Sequence, residues 1–188
     1  QHPQANHHIS VFRTIGVLKK LLFLLQGTFE NLTWPKQLIK PVVEILRAII
    51  PLPWTIKYFY PLFEYILSTH PEKGLTFGTK STKMKQFIDL PDPRKAILEL
   101  VFEILMNSSD DVLDEFHQFL NVTLINGLLE HPSAHTRSVL LKILNLYIDR
   151  RPHIRELFLK KYDGVNLLAK QLSKFNPSLM EFHVLLKM

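Results

Sequence analysis

The chain contains no cysteine, so disulfides, a thiolate nucleophile and thiolate-ligated zinc are excluded by count. That absence fits a reducing compartment. Glycine is scarce, with six in 188 residues, and no stretch alternates apolar and polar side chains beyond a few positions. Half-buried strands need that alternation, and hairpin turns favour glycine, so an all-α fold is expected. Long uninterrupted apolar runs are missing as well. The best candidate, residues 9–29, carries Arg13, Lys19 and Lys20 near its middle, whereas a bilayer-spanning helix needs about 20 predominantly apolar residues. It reads as a core helix. No glycine-rich phosphate cradle, G-x-S-x-G elbow or H-E-x-x-H pair occurs, so no motif supports catalysis or calls for a cofactor.

What is present is apolar and helical. Hydrophobic residues make up 46% of the chain and mean hydropathy is +0.05, too high for a disordered tail. A net charge of +6 makes an acidic protein, anionic lipid or nucleic acid an electrostatically reasonable partner. Gln1 at the start, and Met188 ending an apolar periodic run, are expected of a fragment of a longer chain. The sequons at Asn31, Asn107 and Asn121 read as chance, since nothing else is secretory; an intracellular, cytoplasmic location is expected.

Prolines punctuate the chain at 35, 51, 53, 93, 132, 152 and 177, each where one apolar periodic run yields to another. Residues 9–25 form a first helix with a stop at Gln26-Gly27. Residues 35–50 form a second, with Pro41 either in its first turn or at a kink. An aromatic third runs over 53–67. Residues 71–91, with Lys73, Lys80, Lys83 and Lys85, form a polar basic loop. Asp92-Pro93 opens a helix through Leu105, Asn107 to Asp110 closes it and caps the next, and that next helix breaks near Asn121 or Gly127. One domain over 1–188 is expected, with N-terminal helices at 7–70, the loop at 71–91 and better-defined repeats over 92–188.

The repeat signal lies in the last third. HPSAHTRSVLLKI at 131–143 aligns without a gap on NPSLMEFHVLLKM at 176–188, an offset of 45, and DPRKAILELVFEIL repeats the apolar positions 39 residues before the first copy. An all-helical period near 45 is the mark of hairpins that cannot bury their apolar stripe alone and must stack. About four such units fit the length.

The segment FLKKYDGVNLLAKQL, with Leu144-Asn145-Leu146 ahead of it, resembles armadillo repeats, and the HEAT type is related. The resemblance covers roughly 111–188 and implies an α-α superhelix acting as a non-catalytic, protein-binding scaffold. It also implies that Asn145, near the end of the inner helix, holds the backbone of an extended peptide. One repeat earlier the aligned residue is Met106, with Asn107 one position off, so no regular asparagine ladder is expected. The run LLEHPSAHTRSVLLKILNLYI also resembles the helical-repeat portion of BEACH-domain scaffolds, which implies a role in vesicle trafficking.

Candidate partner contacts are Arg137 and Asn145 on the inner helix, the cluster of Arg150, Arg151 and Arg155 with Lys160 and Lys161, and Lys80, Lys83 and Lys85 in the loop. The cations suit a protein partner or, as the alternative, anionic lipid or nucleic acid. His131 and His135 have metal-pair spacing, but Pro132 places His131 before the helix and no third ligand adjoins. His7-His8 would point apart on a helix. Glu99 with Glu103, and Asp110, Asp111, Asp114 and Glu115, read as solvated or capping carboxylates.

Overall fold

The computed structural model describes residues 16–31, 38–50, 56–68, 93–175 and 179–185. Expectations that rest on His7, His8, Pro35, Pro51, Pro53, Asp92, Pro177 and the loop at 71–91 lie outside the described residues. Those described are α-helices joined by turns, with none in a strand, and none of the helices is long and apolar enough to cross a membrane. In chain order they are α1 (Val17–Asn31), α2 (Ile39–Ile49), α3 (Ile56–Ser68), α4 (Pro93–Met106), α5 (Asp110–Phe119), α6 (Val122–Leu128), α7 (Ala134–Arg150), α8 (Pro152–Glu156), α9 (Gly164–Leu172) and α10 (Leu179–Leu185). A π-turn, Leu157–Lys161, joins α8 to α9.

Several boundaries follow from local chemistry. Asn121 breaks the α5–α6 segment: its side chain accepts a hydrogen bond from Leu124 N (2.9 Å) and caps α6. Ser133 does the same for α7 by accepting from Thr136 N. Pro41 is the third residue of α2, where its missing N–H would have had no intrahelical partner. One feature differs from expectation. Helix α1 runs through Gln26-Gly27 to Asn31, since an interior glycine costs a helix only about 1 kcal/mol. Helix α3 contains Pro61, within the helix expected over 53–67.

The order of packing is stepwise. Helix α4 packs on α2 and α3, α7 on α4, and α10 on α7, whereas α4 and α10 do not pack on each other to a comparable extent. A second set lies alongside: α1 with α2 and α3, α3 with α5, α6 with α7, and α9 with α6. One hydrophobic cluster, from Leu18 to Val184, runs through these contacts. Its centre is aromatic. Phe59 and Phe63 of α3 meet Phe116 of α5 at centroid distances of 4.9 and 4.8 Å, and Phe116 meets Tyr147 of α7 at 6.4 Å.

The 39-residue offset has a physical counterpart. Thr136, Val139, Leu140, Ile143 and Leu144 of α7 are all buried, and so are Ile97, Leu100, Val101, Ile104 and Leu105 of α4, each 39 positions earlier. Both helices therefore present the same stripe to their surroundings. Full burial of an aliphatic side chain is worth about 1.5–3 kcal/mol, so this shared stripe dominates the packing of both.

Candidate functional site

Polar links between neighbouring helices recur along the chain. Arg47 of α2 donates to Glu103 of α4 through Nε and Nη2 (3.2 and 2.6 Å), and that contact, with Glu44, raises the Arg47 pKa above its ordinary value. The Arg94 guanidinium at the start of α4 lies against Nε2 of His131, just before α7. Arg137 of α7 donates to both carboxylate oxygens of Glu181 in α10, at 2.6 and 3.3 Å. At the far end of α7, Arg150 donates to Ser108 O (2.9 Å) and Asp110 Oδ1 (2.5 Å). Arg151 holds Asp114, and Lys174 reaches Glu130. The partners lie between 37 and 56 residues apart in sequence.

Arg137 is therefore no surface contact, contrary to the expectation for it. It is 2% exposed, lies with Cζ 4.3 Å from the centroid of the Phe175 ring, and gives further hydrogen bonds to His131 O and Pro132 O, each 2.8 Å. Leu140, Leu141 and Leu144 stand three, four and seven residues after it, so helical spacing puts Arg137 on the apolar stripe. Arg94 precedes Ile97, Leu98 and Val101 by the same steps, and Glu181 precedes Val184 and Leu185. That spacing was the signal for the buried charges.

Arg150 and Arg151 are half-buried and turned onto Asp110 and Asp114. Hydrogen bonding to Asp114 raises the Arg151 pKa further. They tie α7 to α5 rather than stand free, whereas Arg155 is exposed. Lys80, Lys83 and Lys85 lie outside the described residues. His131 is buried, with Nδ1 accepting from Ser133 N (3.1 Å), while His135 is exposed. Glu99 and Glu103 are exposed and paired with Lys95 and Arg47.

Behind the arginine cluster lies an uncharged polar seam. His117 Nε2 and the Tyr147 hydroxyl are buried with no hydrogen-bond partner among the described residues, and the two rings meet edge to face at 5.3 Å. Burial lowers the His117 pKa, His153 lowers it further and Asp114 opposes. Burial alone pushes the Tyr147 phenol well up.

One accessible face spans the stepwise helices. Lys142 Nζ lies 6.0 Å over the half-buried Phe102 ring, which places α7 and α4 side by side there. Asn145 is half-buried one turn along α7, and its Oδ1 is buried without a partner among the described residues. Met106 is exposed on α4, and the Arg47–Glu103 link joins that helix to α2. The face is mixed in charge, with Glu99, Glu103 and Asp149 beside Lys95 and Lys142. Set against known proteins, the chain matches no family model, and no solved structure matches it.

Proposed function

We propose that the chain is a non-catalytic interaction scaffold, a run of stacked helical hairpins of the armadillo type that presents the α2–α4–α7 face to a protein partner. The observation that carries this is the stepwise packing of α4, α7 and α10, with equivalent residues of α4 and α7 buried at an offset of 39. Units that touch mainly their neighbours form an elongated array, and such arrays bind along one extended face. The face offers what protein recognition uses, an aromatic and a methionine amid charges of both signs. Phe102 and Met106 supply apolar contact, and Lys142 and Asp149 set polarity.

The test is affinity capture by the whole chain and by variants. Met106→Asp with Lys142→Glu is expected to lose the partners that the parent chain captures. A reversal on another helix, Glu64→Lys, is expected to keep them, with helix content unchanged in all three. Equal capture by all three contradicts a role for this face.

A further inference from the structure

Seven basic and two acidic residues lie between 150 and 175, a net of +5 out of the chain's +6. With Arg150, Arg151 and Lys174 held by Asp110, Asp114 and Glu130, the accessible remainder is Arg155, Lys160, Lys161 and Lys170, all exposed. Among the described residues, Arg155, Lys161 and Lys170 have no ion-pair partner. Lys160 meets Glu156 at 2.5 Å, but both side chains are largely in water, where such a pair holds weakly. The other acid, Asp163, accepts from Asn166 Nδ2 (2.8 and 3.0 Å) and is folded back on the first turn of α9.

Two large aliphatic side chains stand among these cations. Leu159 is 47% exposed and Val165 61%. Each directly follows a residue of a tight crossing, where a Cβ on Gly164 would overlap the buried Phe158 ring. Packing therefore fixes the segment that carries them.

We infer that this basic, aliphatic surface of the π-turn and α9 docks on an anionic phospholipid bilayer. Leu159 and Val165 enter the boundary between headgroups and acyl chains, and Arg155, Lys160, Lys161 and Lys170 meet the lipid phosphates. Separate protruding aliphatics need only an apolar medium, and flexible lysines need charge without fixed geometry; a bilayer surface supplies both. Nucleic acid is the poorer match, because it calls for stacking platforms. Phe158 is buried here, and Tyr162 is half-buried with Lys161 Nζ 5.7 Å from its ring centroid. A protein partner is poorer too, since protein interfaces are depleted in lysine and anchored by rigid aromatics. This surface goes beyond the scaffold role and does not depend on it.

The experiment is co-sedimentation of the whole chain with vesicles of phosphatidylcholine alone, or with about 30 mol% phosphatidylserine, at low salt and at about 0.5 M salt. Binding to the phosphatidylserine vesicles at low salt, and its loss at high salt, is expected. Lys160→Glu with Lys161→Glu weakens it by about tenfold or more, and Leu159→Ser with Val165→Ser weakens it while leaving the salt dependence in place. Circular dichroism checks that the variants fold. No phosphatidylserine-dependent binding, equal binding by folded variants, or tighter binding to a single-stranded RNA of mixed sequence overturns the proposal.

Discussion

Removing one member of the Arg137–Glu181 pair should cost more than removing both. The two side chains are 2% and 0% exposed, so each charge has given up its hydration for the other. Stripping one partner from such a pair typically costs about 3–5 kcal/mol, while replacing both with apolar groups is often close to neutral. Arg137 also serves the buried His131 O and the half-buried Pro132 O, and orphaning them adds about 1 kcal/mol or more, chiefly at His131 O. Glu181→Leu is then expected to lose about 3–5 kcal/mol and Arg137→Met rather more. The double variant keeps the carbonyl cost but escapes the stranded charge, so it should lose about 2–3 kcal/mol, less than either single change. Native-state hydrogen exchange at the amides of α7 and α10, the helices that the pair joins, reads this loss where it falls. A loss of about 4 kcal/mol speeds exchange through their unfolding by about a thousandfold. If the double variant loses the sum of the two single losses, the residues do not act as a buried pair and the reasoning fails.

Three other perturbations have definite signs. The Tyr147 hydroxyl is buried without a partner among the described residues, so Tyr147→Phe should raise stability by about 1 kcal/mol; a loss of that size in thermal or urea unfolding counts against the packing described. His117 has a lowered pKa from burial, reinforced by His153, so the unfolded chain binds its proton more readily. His117 therefore contributes stability in full above about pH 6.5, and loses it as pH falls below that value towards the folded pKa. His117→Gln should flatten part of the drop in urea midpoint between about pH 7.5 and 5.5, and an unchanged slope contradicts the assignment. Gly164→Ala forces a methyl into the buried Phe158 ring and should cost about 1–3 kcal/mol, against less than 0.5 kcal/mol at an unstrained surface site.

The helices of residues 93–150 were legible because proline, asparagine and serine mark their ends: Asn121 and Ser133 cap where the sequence placed a break and a start. Local propensity misled at Gly27, which reads as a stop and lies inside α1. The π-turn at Leu157–Lys161 has no sequence mark beyond its place between Pro152 and Gly164. Arg137 shows a different limit. Charge count alone assigns an arginine to the surface, but its spacing from Leu140, Leu141 and Leu144 puts it inside. A carboxylate 44 residues away neutralises the charge there. For Arg150 and Arg151 the sequence showed a basic cluster but not the aspartates of α5 that hold it, because that pairing depends on how α7 stacks on its neighbours.

Native-state hydrogen exchange of the parent chain and Glu181→Leu tests the stacking most directly. In a neighbour-by-neighbour array, loosening α10 affects α7 and then fades with distance. Protection should fall across Leu179–Leu185, fall less in Ala134–Arg150, and remain at the parent level in Ile39–Ile49. A uniform fall across all three helices contradicts the stacked array and points to one cooperative globule.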